Sequence, residues 1–428
     1  MKILVIGGGG REHALAWRLA RCASVEAVYA APGNPGIEGV GKCVAADGGK
    51  PDELLRLAES LEADLTVVGP EAPLVAGVAD VFRKAGRALI GPSAAAAQLE
   101  GSKIFAKRFL SRTGIPTARF VSVDEEAGAF AALDRFGLPV VLKADGLAAG
   151  KGVIVAQDRA EAESAIRGLL SGRLVGAAGS RIVIEEFLQG EEVSFIVLSD
   201  GRNILPLEPT QDHKAVGDGD TGPNTGGMGA YCDSRILTAE ERRVVLDRII
   251  APAIEGMRAE GHPFTGFLYA GLMMTAEGPK VLEFNVRLGD PECQPLMHRM
   301  DSDFAEVLMA AARGDLAGAR LAWREEPSVC IVMAAAGYPG KVRGGDRIVG
   351  IDDAEAMGAT VFQAGTRLAP EGLVTAGGRV LGVTHSGPDL ASAIERAYAA
   401  ASRIRFDGMH YRKDIGQKGL KRWEVARR

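Results

Sequence analysis

"MKILVIGGGGREHALAW" (residues 1–17) runs an apolar strand into four glycines and then into a helix that opens with Arg11, Glu12 and His13. Ile3 to Ile6 form the strand, and Ala14, Leu15, Trp17 and Leu19 fall at helical spacing, so the stretch reads as strand, tight turn and helix. Such a turn presents backbone amides at the positive end of a helix, where an anion is stabilised. A dinucleotide fingerprint does not fit. Starting G-x-G-x-x-G at Gly7 or Gly8 places Glu12 or His13 where close helix–strand packing requires a third glycine. The second strand ends in "AAPGNPG" with no acid for a ribose hydroxyl. What remains is a phosphate-sized site built from the amides and Arg11.

The alternation continues outward from this turn. Strands at Lys2–Ile6, Ala27–Ala30, 64–69 and 88–91 are separated by helices, which implies a parallel sheet with ligands at the carboxyl ends of its strands. Those ends read "GGGGRE", "APGNPG", "VGPEAPL" and "GPS", and all four can line one crevice. A helix is expected from about Ala94 to Arg112. Two strand pairs follow, at 138–155 and 181–198, flanking a helix at 158–171. Further on, the pattern gives a helix near 238–259 and a hairpin turning at Glu277-Gly278, and the last hundred residues read as a separate small α/β module.

With 428 residues, 47% of them hydrophobic and 25% charged, the chain has room for about three domains of ordinary globular composition. A net charge of −5 excludes the basic footprint of a nucleic-acid or anionic-membrane binder. Five scattered cysteines without a C-x-x-C indicate neither a disulfide framework nor a zinc site, which fits a cytoplasmic protein. Neither a leader-like apolar segment nor a run of the roughly eighteen apolar residues that a span needs is visible.

"KADGLAAGKG" (143–152) is one residue short of a P-loop and carries Gly152 where a magnesium-binding hydroxyl would stand. A glycine loop between two strands can still fold over a triphosphate, with Lys143 and Lys151 as cations. "IEEFLQGEE" (184–192) suits a hinge whose backbone at Glu186–Leu188 pairs with adenine while Glu192 accepts from ribose. In "VLEFN", Glu283 and Asn285 share one side of a strand and offer hard oxygen ligands to magnesium. "RLGDPECQ" follows, with Arg287 able to fork onto a carboxylate and Asp290 and Glu292 able to orient an amine or a second metal.

Together these motifs resemble the ATP-grasp enzymes. "GGGGREHALAW", "VGPEAPL", "QLEGSK", "QDHKAVGDGDTGPNTGGMGAY", "RLGDPECQ" and "RKDIG" resemble, more narrowly, the phosphoribosylamine–glycine ligases of purine biosynthesis, over residues 1 to about 416. The resemblance implies a multidomain α/β fold: an N-terminal α/β domain (1–102), a two-part ATP-grasp α+β domain (103–190, with a mobile lid from about 118, and 191–327) and a small C-terminal α/β domain (328–428). It implies ligation of glycine to 5-phosphoribosylamine through an acyl phosphate at the expense of ATP, which requires alignment and charge neutralisation and no protein nucleophile. Lys103, Lys143, Gly150 and Lys151 would meet the ATP phosphates, and Glu185, Glu186, Phe187, Leu188 and Glu192 the adenosine. Glu283 and Asn285 would hold Mg2+ or Mn2+. Gly8, Gly9, Gly10, Arg11, Glu12, Asn34, Pro70 and Glu71 would take phosphoribosylamine. Asp212, Lys214, Thr225, Gly226, Gly227, Met228, Gly289 and Glu292 would shape the glycine site, with Arg287 as carboxylate clamp and Lys143, Arg287 and Asp290 as catalytic candidates.

The wider superfamily carries another acidic ligand about a dozen residues before the metal-binding glutamate, where Gly271 and its neighbours offer none, so a second metal would need Glu292 or another acid. His13, His213 and His298 read as helix, loop and core residues. The expected partners are the three small molecules alone, bound by a monomer or weak homo-oligomer. The competing readings are an ATP-grasp ligase for other substrates, a nicotinamide-dependent dehydrogenase, and a nucleotide-sensing module lacking Glu283, Asn285 or Arg287. The broken fingerprint opposes the dehydrogenase, and the presence of all three residues opposes the sensor.

Overall fold

A computed structural model describes the chain apart from residues 47–49, 148–151, 175, 177–179 and 427–428. The expected triphosphate contacts Gly150 and Lys151 lie outside the described residues. At the N-terminus, β1 (Lys2–Gly7), β2 (Ala27–Pro32), β3 (Lys42–Cys43), β4 (Leu65–Val68) and β5 (Leu89–Ile90) form one parallel sheet in the order β3-β2-β1-β4-β5. Ile3, Leu4, Val5 and Ile6 are fully buried, because crossover helices cover both faces of such a sheet. The carboxyl ends of β1 and β4 lie side by side, so Gly7 and the Gly69-Pro70-Glu71 turn open onto the same crevice.

The helix expected from Ala94 to Arg112 is broken. Gln98–Gly101 and Lys103–Arg112 are separate helices, because Ser102 adopts an extended conformation and its hydroxyl caps the second one by accepting from the Phe105 amide. Beyond it β6 (Phe120–Val123), β7 (Val140–Ala144), β8 (Val153–Ala156) and β9 (Ile182–Glu186) form a four-stranded antiparallel sheet in the order β6-β9-β7-β8. Helices Glu126–Phe136 and Arg159–Leu170 cover it and share a small core of their own.

The two strands read at 181–198 are consecutive in sequence but belong to different sheets. After β9 the chain crosses over at residues 187–190 and enters β10 (Glu191–Asp200), the centre of a nine-stranded sheet. Its other members are β11 (Ile204–Pro206), β12 (Thr210–Asp212), β15 (Gly229–Cys232), β16 (Thr265–Thr275), β17 (Gly278–Asn285), β18 (Ser328–Ala334), β19 (Thr360–Gln363) and β22 (Arg379–Ser386). Between β12 and β15 the chain makes a two-stranded ribbon, β13 (Ala215–Gly217) with β14 (Thr221–Asn224). A second hairpin, β20 (Thr366–Ala369) with β21 (Gly372–Thr375), also stands off the sheet. The 238–259 helix is present with a π turn at Leu246–Ile250. The last hundred residues, expected to stand apart, instead extend this sheet, since β18 pairs with β15 from Gly229↔Ile331 to Cys232↔Ser328.

The N-terminal helix Gly10–Leu19 also docks on this C-terminal part. His13 Nδ1 accepts the Gln363 amide at 2.8 Å, and Trp17 meets the Phe362 ring edge-on with ring centroids 5.7 Å apart. Burial lowers the His13 imidazole to about 4, so the ring is neutral where it accepts. The unfolded chain, with His near 6.5, therefore binds a proton that the folded one refuses between pH 6.5 and about 4, and folding loses stability as pH falls through that window. We expect the stability advantage of the native chain over His13→Gln, measured by urea unfolding, to shrink by about 1.4 kcal/mol per pH unit below pH 6. A pH-independent difference would show that His13 is not held neutral.

Candidate active site

A cleft of about 660 Å³ runs from the hairpin β7–β8, past β17, to the ends of β1 and β4, and is closed on the far side by residues near Tyr338 and Arg379. At the hairpin end Ala118, Leu188 and Met273 form a small apolar cluster with Leu282 packed against it, and backbone at Glu186–Leu188 borders it. A flat ring fits such a slot. The Glu186 carboxylate is taken up by Arg119, which gives it a backbone amide at 2.9 Å and a guanidinium at 2.5 Å, and Phe187 is 39% exposed at the rim.

Glu185 lines the cleft as expected of a ligand contact, and it has a second role. Its carboxylate is buried between Lys107 at 2.9 Å and Lys143 at 3.1 Å, as the counter-ion of two lysines. Lys143 Nζ also donates to the Leu282 carbonyl at 2.8 Å, and Lys107 Nζ donates to Thr117. Burial brings the Lys107 ammonium down to about 8 against the pull of Glu185. Lys107 escaped sequence reasoning because one lysine in a helix looks like a solvated face.

Glu283 and Asn285 lie on β17 as the alternation predicts and both border the cleft. Lys103 reaches Glu283 at 3.3 Å, while Lys214 bridges Glu283 at 3.8 Å and Glu192 at 3.1 Å. Burial opposes the charge on Glu283, but Lys103, Lys214 and Lys143 outweigh it and hold the carboxyl well below the usual carboxylate range. Gly271 stands opposite Glu283 in the β16–β17 ladder and provides no ligand. Among the described residues no group of three or more His, Cys, Asp or Glu converges on a metal position. A permanently charged carboxylate and an amide oxygen still suit a cation that takes its remaining ligands from phosphate and water.

Arg287, the expected carboxylate clamp, borders the cleft and is paired within the chain. Its Nε faces Glu71 at 3.3 Å, its Nη2 reaches Glu100 at 2.8 Å and Asn285 Oδ1 at 3.3 Å, and its Nη1 donates to the Leu288 carbonyl. Glu100 also accepts the Val286 amide at 2.8 Å, and burial raises its carboxyl despite Arg287. Arg287 thus ties the Gly69-Pro70-Glu71 turn, the short helix Gln98–Gly101 and β17 together. Glu100 was not singled out in the sequence, although it lies in the "QLEGSK" motif.

The glycine turn also departs from expectation. Glu12 is buried, its Oε2 accepts the Gly9 amide at 2.6 Å and its Oε1 pairs with Arg11 at 2.6 Å. Gly8 packs on the Gly33 carbonyl and Gly10 on Gln294. Asn34 caps its own helix by accepting from the Gly36 and Ile37 amides, and its Nδ2 donates to Gly8, Gly9 and Gln363 carbonyls. Arg11, Pro70 and Glu71 line the cleft, whereas Gly8, Gly9, Gly10, Glu12 and Asn34 stand outside its lining and pack or bond within the turn.

At the remaining end Asp212, Lys214, Thr225, Gly226, Gly289, Asp290 and Glu292 converge on the cleft, whereas Gly227 packs on Pro291 and Met228 is fully buried behind them. Burial, reinforced by the charge of Glu292, raises Asp212 well above its ordinary range. Ser194 donates to Glu292 at 3.1 Å and lies 2.8 Å from the Tyr269 hydroxyl. Asp290, expected to be catalytic, borders the cleft, accepts from Gln294 at 2.9 Å and pairs with Arg379 at 2.9 Å, and Arg379 also grips the Gly226 carbonyl. Tyr338 accepts the Gly226 amide at 3.0 Å. Arg379 and Tyr338, both from the C-terminal part, had no local signal.

Residues 1–100 match the phosphoribosylglycinamide synthetase N domain, 101–293 its ATP-grasp (A) domain and 328–418 its C domain. The chain is 54% identical over 426 residues to a phosphoribosylamine–glycine ligase of Escherichia coli, covering 99% of each chain. It is 52% identical over 425 residues to that of Pseudomonas aeruginosa, again covering 99% of each. The crystal structure of phosphoribosylamine–glycine ligase from Thermotoga maritima superposes with a TM-score of 0.85 at 32% identity, over 97% of this chain and 100% of that one. A biotin carboxylase from Campylobacter jejuni shares the fold, with a TM-score of 0.70 at 16% identity over 96% of this chain and 92% of that one.

Removing the Arg287 guanidinium leaves Glu100 buried without its cation. We expect Arg287→Ala to cost about 3–5 kcal/mol in chemical denaturation, and Arg287→Ala with Glu100→Gln to recover a large part of that. A cost below about 1 kcal/mol would mean that Arg287 is not a structural tie.

Proposed function

This chain belongs to the phosphoribosylglycinamide synthetase family and carries its ATP-grasp ligase fold, and from that premise we propose how its own residues perform the reaction. The enzyme is a ligase that uses ATP to join glycine to 5-phosphoribosylamine in purine biosynthesis. The observation that supports our reading of the site is the continuity of the cleft: the apolar slot, the lysines around Glu283 and the acid-lined substrate end share one volume.

Adenine lies in the slot of Ala118, Leu188 and Met273 and pairs with backbone at Glu186–Leu188, while Glu192 accepts from the ribose. The phosphates lie against Lys143, Lys103 and Lys214, which leave their carboxylate partners for a stronger anion. A divalent cation, Mg2+ or Mn2+, held by Glu283 and Asn285 neutralises charge on the phosphoryl oxygens when bound. The glycine ammonium is held by Asp212 and Glu292, two acids on the cleft whose mutual repulsion a cation relieves. A glycine carboxylate oxygen attacks the γ-phosphorus and ADP leaves; the amine of phosphoribosylamine then attacks the acyl carbon, phosphate leaves and the amine loses a proton. Arg11, beside Glu71 and Pro70, receives the 5-phosphate of that second substrate. Lys143 neutralises the transferring group, and Arg287 and Asp290 act by positioning.

Among the described residues no helix is long and apolar enough to cross a membrane. We place the reaction in the cytoplasm, with small molecules as its only partners and a monomer or weak homo-oligomer as the working form.

ADP release with Mg-ATP is expected only when glycine and freshly generated phosphoribosylamine are both present, and not when alanine or serine replaces glycine. Release with another acid or amine would overturn the substrate assignment. Glu283→Ala should abolish turnover with an unchanged far-ultraviolet circular dichroism spectrum; normal activity in that variant refutes the metal assignment.

A further inference from the structure

Between Asp212 at the end of β12 and Gly229 at the start of β15 the chain leaves the nine-stranded sheet altogether. Among the described residues β13 and β14 pair only with each other, and their register is irregular. Yet this ribbon delivers Lys214, Asn224, Thr225 and Gly226 into the cleft, with Asp212 at its root. A two-stranded ribbon is at best marginally stable alone, so something else must fix it.

The fixing element comes from the other end of the chain. Residues 410–418 run along the outer side of the ribbon and bond to it repeatedly. His410 Nε2 lies 2.8 Å from the Val216 carbonyl, the Lys413 amide donates to Asp218 at 2.7 Å, and Asp414 accepts the Gly219 amide at 2.9 Å. The Gly416 amide donates to His213 Nε2 at 3.4 Å, and Lys418 pairs with Asp220 at 2.6 Å. At the centre is Arg412, whose side chain is fully buried although it is among the largest in the chain. Its Nη1 donates to the Ala215 carbonyl and to Asp220, each at 3.0 Å, and its Nε and Nη2 fork onto Asp414 at 2.8 and 2.7 Å. Ile415, also fully buried, lies so close to Gly229 that an added Cβ there would meet its side chain at 2.8 Å.

We propose that Arg412 is a positioning residue: the 410–418 segment, latched by its guanidinium, holds the 213–225 ribbon in the geometry that binds glycine. No residue of the latch lines the cleft. A buried guanidinium whose donors reach one backbone carbonyl and two carboxylates has a single satisfied geometry, and the ribbon inherits that geometry. This inference rests on the reading of the ribbon as the glycine-binding element, and it predicts a larger effect on glycine than on ATP. Of the groups placed on ATP only Lys214 belongs to the ribbon, and its ion pairs with Glu192 and Glu283 hold it from outside the ribbon as well; the others lie on segments that Arg412 does not contact.

The test compares Arg412→Met, Arg412→Lys and Asp414→Asn with the native enzyme, using Asp212→Asn to check the glycine assignment. Asp414 is partly exposed, so its replacement by Asn keeps the question open should Arg412→Met fail to fold. We expect Arg412→Met to raise KM for glycine about tenfold while KM for ATP stays within about twofold, with Arg412→Lys and Asp414→Asn intermediate. Amide hydrogen exchange in residues 213–225 should accelerate in the same order. Unchanged exchange in the ribbon, or a lowered melting temperature with both KM values unaltered, overturns the latch. Faster ribbon exchange without a change in glycine KM overturns it as well. In that case Asp212→Asn locates the fault: an unaltered glycine KM there shows that the ribbon does not bind glycine, and a raised one shows that the latch does not govern its geometry.

Discussion

Most of the charged groups that line this cleft are matched by a counter-charge, and the arrangement of elements around it follows from that constraint. An isolated buried ion costs several kcal/mol even after relaxation, so a cleft that must hold a triphosphate cannot keep bare lysines waiting. Glu185 sits between Lys107 and Lys143, and Glu283 between Lys103 and Lys214. Arg287 sits between Glu71 and Glu100. Each set draws on separate segments, so satisfying the charges also fastens the N-terminal sheet, the capped helix 103–112, the four-stranded sheet and β17 to one another. The sets are not equivalent. Lys107 and Glu185 are almost wholly buried, which suits a tie that persists when Lys143 turns to phosphate, whereas Lys103, Lys214, Glu192 and Glu283 keep some exposure, which suits an exchange of partners when polyphosphate arrives.

Local pattern carries some of this architecture and is silent on the rest. The strand–turn–helix alternation of residues 1–91 is legible because each element is a short contiguous run with its own period. "VLEFN" is legible because alternation alone puts Glu283 and Asn285 on one side. The crossover between β9 and β10 is not, because two adjacent apolar strands look alike whether they share a sheet or divide between two. The union of β15 with β18 joins residues nearly a hundred positions apart, and no local signal encodes such a pairing.

What local pattern does not carry for several site residues is the partner each one holds. Glu185, Arg287 and Asp290 were each recognised as polar groups too concentrated to be incidental, and each does border the cleft. Their partners, Lys107, Glu100 and Arg379, lie far away in sequence and read singly as surface charges. Without the partner in view, a carboxylate held by two lysines cannot be told from one awaiting a ligand. Asn34 shows the same ambiguity on a smaller scale: "PGNPG" suits a ligand loop and a helix cap equally, and every polar atom of the Asn34 side chain is engaged in the cap and its neighbours.

Glu12 carries the argument one step further. In the four-glycine turn a carboxylate stands where a dinucleotide fold would place glycine, and the structure turns that departure into an internal ligand. The Glu12 side chain folds back against Gly7 and Gly69 so closely that a Cβ at either position would overlap it, and it takes the Gly9 amide that an external anion would need. The positive end of the helix is thereby partly satisfied from within. Arg11, held by that same carboxylate and by the Leu288 carbonyl, becomes the group that faces outward. A phosphate arriving here therefore meets a guanidinium fixed by its own chain in place of a ring of bare amides. A group with fewer phosphate oxygens to satisfy, such as a sugar monophosphate, suits that arrangement better than a pyrophosphate does.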